Sequence, residues 1–338
     1  MNWLALDIGG ANIKAADGRG FALGCAFPLW KQPQRLAAEL RRILAESPPS
    51  DHVVATMTGE LADCFATKRA GVLSILDALQ EAVDGRHTRV YALDGALLTP
   101  LVAGRRYGEV AAANWHALAR YAGRFLGPGP GLMLDIGSTT CDLIPFHDGR
   151  PQPAGLDDTR RLMAGELVYT GIQRSPLCAI TRQVPYRGQF CPVAQELFAT
   201  TLDAYLVLGL LPEDSSSTLT ADGRPATKAC AVNRLARSLC ADEEIFQEQD
   251  AIVMAEAIQE TQVELLLTAL ERMLPRWSGE TPATVVVSGH GEFLGRRVMA
   301  EFAPRARIVS LREELGASVS RCATAHALAV LACEMTDS

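Results

Sequence analysis

The chain has 338 residues, 48% apolar and 21% charged, an ordinary balance for a globular protein with room for one large or two medium cores. Its net charge of −7 disfavours nonspecific binding to nucleic acid or anionic membranes, and no apolar run approaches the ~18 residues of a membrane span. Nine scattered cysteines with no CxxC pair, and no secretory n-region in "MNWLALDIGG", predict reduced thiols and a cytoplasmic protein without nucleic-acid or membrane partners.

In chain order, strand-like runs at 3–8, 11–16 and 21–27 precede a helical pattern over 33–46. A strand at 52–57, a helix at 71–83 and a strand at 89–93 follow. The pattern at 114–126, "NWHALARYAGRFL", predicts a helix crossing to a second half, broken by "GPGPG" at 127–131. The second half then repeats strands at 131–136, 139–146 and 151–154. A turn-rich insertion spans about 160–225, and helices are expected at 228–240 and 248–274. A strand running through glycines into a helix (283–298), a short strand at 306–310 and a helix at 318–334 complete the pattern.

Two of these strand pairs are copies. "LALDIGGANIK" at 4–14 and "LMLDIGSTTCDL" at 132–143 align on Asp7 and Asp135. In each, an apolar strand ends in an aspartate, turns through glycine and enters a second strand, which predicts a β-hairpin. The amides of such a turn can hold an anion, and the adjacent carboxylate can hold a divalent cation that bridges phosphate oxygens. Gly9, Gly10 and Asn12 in the first turn, and Gly137, Ser138, Thr139 and Thr140 in the second, are the candidate phosphate ligands. Asp7 and Asp135 are the candidate Mg²⁺ ligands, organising the ion between the hairpins. In "VVVSGHGEFL" (285–294), Gly289 and Gly291 predict close backbone approach to a phosphorylated ligand ahead of a helix N-terminus.

Two Asp-Ile-Gly hairpins, an inter-domain helix and a late "VVSGHG" resemble the phosphate-1, phosphate-2 and adenosine motifs of the actin/hexokinase/heat-shock-ATPase superfamily. The resemblance implies an α/β protein of two ribonuclease-H-like domains around a central cleft. The expected division is 1–112, completed by a C-terminal helix at 318–336; a crossing helix and linker at 113–130; and a second domain at 131–317 carrying the insertion. "MTGELADCFATKRAGV" (57–72), "AAANWHALA" (111–119), "FATTLDAYLVLGLLPED" (198–214) and "TADGRPAT" (220–227) further resemble the hydantoinase/oxoprolinase-like family of tetrahydromethanopterin-linked C1 transfer. That resemblance implies a Mg²⁺-dependent alkyl transferase that joins a furfuryl diphosphate to a phenol with release of diphosphate, in methanofuran-type cofactor biosynthesis. The alternatives are an ATP-dependent small-molecule kinase or lactam hydrolase, with ATP as a second cofactor, and a non-catalytic nucleotide-binding regulator.

A phosphoryl-transfer loop needs donors on the group in flight, yet Ala11 and Asn12 stand where a hydroxyl is usual. This favours a phosphate that is held and leaves, while Ser138, Thr139 and Thr140 keep ATP chemistry open. Lys14 is expected to neutralise phosphate, and Asp142, seven residues beyond Asp135, to face the same site. Glu60 in "MTGELAD" is the candidate base, or the anchor for a substrate ammonium. Lys68 and Arg69 could bind a substrate carboxylate, and Asn114 and Trp115 could line the cleft. His290 reads as a packed or surface imidazole, and Cys178 and Cys191, thirteen positions apart, lack the spacing of zinc ligands. The partner expected is a small phosphorylated substrate, with a homodimer left open.

Overall fold

The computed structural model describes residues 2–337. The chain divides into two compact units: Met1–Gly131, Phe146–Asp158 and Val309–Ser338 form the first, Leu132–Pro145 and Thr159–Ile308 the second. The segment expected to link two domains, 113–130, falls within the first unit.

The first unit is built on a six-stranded sheet of β1 (Trp3–Ile8), β2 (Asn12–Ala16), β3 (Ala22–Ala26), β4 (His52–Met57), β5 (His87–Tyr91) and β6 (Leu97–Leu98), in the order β3-β2-β1-β4-β5-β6. The first three strands run antiparallel, and β4 and β5 continue parallel to β1. This is the ribonuclease-H-like order. Strand alternation sorts the residues. Leu4, Leu6 and Ile8 join Val53, Ala55 and Met57 in one core with helices α1 (Leu36–Glu46) and α2 (Lys68–Ala82). The helix expected from 33 begins at Leu36, because Pro33–Arg35 forms a 3₁₀ turn. The helix expected from 71 begins a turn earlier, at Lys68, where Thr67 caps it by accepting from the Ala70 amide. Short helices α3 (Pro100–Arg105) and α4 (Tyr107–Val110) lead into α5 (Asn114–Ala122). That helix passes at Gly123 into a 3₁₀ turn over Gly123–Phe125 before the expected 126, and a Cβ at Gly123 would lie 2.2 Å from the Gly149 carbonyl oxygen.

The second unit repeats the order. Its strands are β7 (Pro130–Ile136), β8 (Cys141–His147), β10 (Leu167–Val168), β13 (Thr284–Ser288) and β14 (Arg307–Ser310), arranged β10-β8-β7-β13-β14, while the two-residue β9 (Arg150–Pro151) pairs with the end of β8. The 160–225 stretch is folded rather than loop-like. It contains α6 (Asp158–Ala164), α7 (Leu177–Ile180), the hairpin β11 (Gln183–Tyr186) and β12 (Gln189–Pro192), and α8 (Thr201–Val207). With α9 (Lys228–Ser238) and the first half of α10 (Glu248–Glu271) it buries its own apolar cluster around Leu206, Leu235, Phe246 and Met254. The second half of α10 packs with α11 (Glu292–Phe302) on the sheet core.

The helix expected over 318–334 is two helices, α12 (Leu311–Ser320) and α13 (Ala323–Asp337). The second packs on β1, β2 and β4, on the face that carries Trp3, Ala5 and Asp7. Among the described residues no single helix is long and apolar enough to cross a membrane. The pair α12–α13 passes by length and composition, but it is bent by 101° and much of α13 is buried.

Candidate functional site

Hairpin one closes with the Gly9 amide donating to the Asn12 carbonyl at 2.9 Å, and a Cβ at Gly9 would lie 2.8 Å from that oxygen. The Gly10 and Ala11 carbonyls accept from the Leu29 and Phe27 amides, each at 2.9 Å. In a trans peptide the N–H points opposite the C=O, so the Ala11 amide faces away from the 27–29 wall. Among the described residues the amides of Gly10 and Ala11 meet no acceptor. The hydroxyl missing from this turn stands beside it instead: Thr58 Oγ1, at the end of β4, lies 3.4 Å from where a Gly9 Cβ would sit.

Asp7 lies in one cross-strand row with Lys14 on β2 and Thr56 on β4. It is 6% exposed and Thr56 is 0% exposed, and neither Asp7 Oδ1 nor Thr56 Oγ1 has a hydrogen-bond partner. Burial pushes the Asp7 carboxyl above the usual range, against the pull of the Lys14 charge. An orphaned buried carboxylate oxygen costs free energy unless something pairs with it. Hard oxygen donors of this kind suit Mg²⁺, so the residues present fit the expected ion.

Glu60 follows at once. Gly59, just before it, is pressed on hairpin one, since a Cβ there would lie 3.2 Å from Gly9 C. Glu60 is 1% exposed and its Oε2 has no partner. Burial raises its pKa to about 7, opposed by backbone amides, including that of Ala112, and by Lys68, and assisted by Asp158. Two features hold it in place. Gly71 in α2 lets the helix approach, because a Cβ there would lie 2.0 Å from the Glu60 carbonyl oxygen. Ala112 sits at φ 50, a strained conformation for alanine, just after the bridge that pins Ala111 to Met57. Lys68 is half-buried at the start of α2. Arg69 is exposed, with its guanidinium 5.8 Å from the Tyr107 ring centroid. Asn114 is half-buried at the start of α5, and Trp115 is core, at 2% exposure.

Hairpin two closes identically, with the Gly137 amide donating to the Thr140 carbonyl at 2.9 Å. The Gly137 carbonyl accepts from the Ile172 amide, and the Ser138 carbonyl from the Gln173 and Arg174 amides. The Ser138 and Thr139 amides therefore turn away from the 172–174 wall, and neither meets an acceptor among the described residues. The same closure sets Asp142 opposite Asp135, where hairpin one sets Lys14 opposite Asp7. Asp142, expected to face the ligand, is paired with Arg161, itself 1% exposed, which holds its carboxylate at 2.6 Å. Gly289 and Gly291 pack closely on β7. A Cβ at Gly289, where φ is 85, would lie 2.3 Å from the Ile136 carbonyl oxygen and 2.9 Å from Asp135 Oδ1, and one at Gly291 would lie 2.3 Å from Ile136 Cγ2. These glycines let the turn before α11 seat against β7. His290 is exposed, as expected of a surface imidazole.

The first unit thus gathers Asp7, Lys14, Gly9, Gly10 and Glu60, and the second gathers Asp135, Gly137, Ser138, Thr139 and Thr140. Sequence reasoning missed Thr56, Thr58, Gly71, Ala112 and Arg161. A threonine in the buried run "HVVATM" and a glycine inside a helix were the available signals for two of them.

Two ribonuclease-H-like units carrying twin anion-ready hairpins define a protein of the actin-like ATPase and sugar-kinase architecture. The chain belongs to the hydantoinase/oxoprolinase family, whose model matches residues 51–332. It is 32% identical, over 99% of its length and 98% of the relative's, to the (4-{4-[2-(gamma-L-glutamylamino)ethyl]phenoxymethyl}furan-2-yl)methanamine synthase of Methanocaldococcus jannaschii. A synthase of the same name from Methanococcus vannielii is 29% identical over 59% of this chain and 89% of its own. Among solved structures, a ROK family glucokinase from Streptomyces griseus is 15% identical, with a TM-score of 0.44, covering 99% of this chain and all of its own.

Proposed function

We propose that the protein is a cytoplasmic, Mg²⁺-dependent alkyl transferase that joins a furfuryl diphosphate to a phenol and releases diphosphate, in methanofuran-type cofactor biosynthesis linked to tetrahydromethanopterin C1 transfer. Full-length similarity to a synthase named for a phenoxymethyl-furan product supports the reaction class. The observation that carries it is Glu60: buried, one oxygen unpartnered, pKa near 7, one residue from the glycine that backs hairpin one.

The phenol O–H gives its proton to the Glu60 carboxylate. The phenol oxygen bonds to the furfuryl methylene while the bond from that carbon to the diphosphate oxygen breaks, and the electron pair leaves with the diphosphate. The free amides of Gly10 and Ala11 and the Lys14 ammonium stabilise the charge that collects there. Asp7, with its buried unpartnered oxygen, is the residue of the first unit that would hold Mg²⁺, which when bound would neutralise diphosphate oxygens, and Asp135 is the carboxylate that the second unit's own hairpin offers for the same purpose. The Ser138 and Thr139 amides give the second unit an anion site of its own. Lys68, with Arg69 beside it, is suited to a substrate carboxylate, and Asn114 to a polar group of the substrate.

Thr58 favours a second reading, an ATP-dependent kinase or hydrolase, because its hydroxyl stands beside hairpin one. The test is incubation with furfuryl diphosphate, glutamyltyramine and Mg²⁺, with ATP in a parallel arm. Pyrophosphate and an ether product without ATP are expected. ADP from the ATP arm, with no pyrophosphate from the other, would reverse the ranking.

A further inference from the structure

The segment behind hairpin two is wired to the interior of the second unit. A Cβ at Gly171 would lie 2.4 Å from Ser138 C and 2.4 Å from Thr139 N, so the Ser138–Thr139 peptide rests on the bare Gly171 backbone. Gly171 is itself held on both sides. Its amide donates to Ser175 Oγ at 2.8 Å, and its carbonyl accepts from Thr201 Oγ1 at 2.8 Å and from Gln262 Nε2 at 3.1 Å. Gln262, fully buried on α10, also donates to Thr170 Oγ1 at 2.6 Å and accepts from the Tyr205 hydroxyl at 2.6 Å. On the far side, Cys141 Sγ on β8 donates to the Thr170 carbonyl at 2.9 Å.

A buried side-chain amide has one carbonyl and two N–H donors to satisfy, and it fixes whatever it bonds when those needs are met by rigid elements. Here the partners are two successive residues of the backing segment and a tyrosine on α8. The height and tilt of the Gly171 peptide decide where the Ser138–Thr139 peptide lies, and hence where the Thr139 amide, and the Ser138 amide just before it, are aimed. A shift of about 1 Å in such donors is enough to weaken an anion contact severely.

We propose that Gln262 is a positioning residue for the second hairpin, setting its affinity for a phosphate or diphosphate group through Gly171 without touching the ligand. This inference rests on the proposed function only in taking hairpin two, the second unit's own anion site, as one that a phosphate or diphosphate group occupies. It assigns a role to the "FATTLDAY" stretch as well, whose Thr201 and Tyr205 complete the support.

The test is titration calorimetry of the full chain with inorganic pyrophosphate and Mg²⁺, alongside steady-state kinetics. Gln262→Met keeps the side-chain length and removes all three bonds; it should weaken pyrophosphate binding about tenfold. The KM for the diphosphate substrate should rise in step, while the KM for the phenol stays unchanged. Tyr205→Phe removes one bond and keeps the ring against Phe293; it should weaken binding by a smaller factor, about threefold. A lowered Tm with unchanged pyrophosphate affinity in Gln262→Met would make the network merely structural and overturn the proposal. Should Gln262→Met fail to fold, Tyr205→Phe decides alone, and unchanged affinity there overturns it. Wild-type protein that binds no pyrophosphate would overturn the diphosphate reading itself, a separate result from a wild type that binds and variants that bind equally well.

Discussion

Glu60 and Asp7 are two carboxyls that the fold buries at a cost. Both have raised pKa values, so the folded chain holds their protons more tightly than the unfolded chain. The stability each contributes is present in full below its unfolded pKa and is lost as pH rises through the folded one. For Glu60 that window runs from about 4.5 to about 7. Glu60→Gln should therefore stabilise the ligand-free protein at pH 8 by on the order of 3 kcal/mol, with the gain vanishing near pH 4, as denaturant titration at the two pH values would show. The same variant should lower kcat by at least about a hundredfold. In the wild type, kcat/KM should rise with pH and level off above about 7, as the carboxylate form of Glu60 is populated. Asp7→Asn should likewise raise the Tm of metal-free protein while abolishing the Tm gain that Mg²⁺ with pyrophosphate gives the wild type. Loss of stability in both variants would show that these carboxyls have partners when the protein is free.

At the scale of elements, the two glycine-backed contacts explain why a helix and a strand end carry residues of poor propensity. Gly71→Ala gains about 1 kcal/mol of helix propensity, yet its methyl would lie 2.0 Å from the Glu60 carbonyl oxygen. A net loss of roughly 1–3 kcal/mol in urea unfolding is expected, and a net gain would mean that α2 does not hold Glu60. Both hairpins and the pairing of Asp7 with its glycine turn were legible in the sequence, because period-two alternation, a carboxylate and glycine recur together, while the ribonuclease-H-like fold of each unit came only from the family resemblance. The motif singled out Glu60 as a candidate, but not that it would be buried with one oxygen unpartnered. The partner of Asp142 was not legible, because nothing in sequence announces that Arg161, nineteen positions on, would pair with it. What Gly289 and Gly291 approach was not legible either, because a glycine admits close approach without saying to what, and here the neighbour is β7. The insertion was taken for turns because its short elements are buried by one another and by α10, a packing that no local pattern reveals.

For the molecule as a whole, two sheets of similar strand order each present a turn whose amides meet no acceptor among the described residues, and one of them adds a buried carboxyl with an unpartnered oxygen. In the proposed reaction the phenol attacks carbon rather than phosphorus, and the bond that breaks distinguishes the two directly. Furfuryl diphosphate labelled with ¹⁸O at the oxygen bridging carbon and phosphorus, incubated with the phenol and Mg²⁺, should yield pyrophosphate carrying all of the label and an unlabelled ether, read by mass spectrometry. Label retained on the furfuryl product would mean that the phosphorus–oxygen bond breaks, which contradicts attack at carbon.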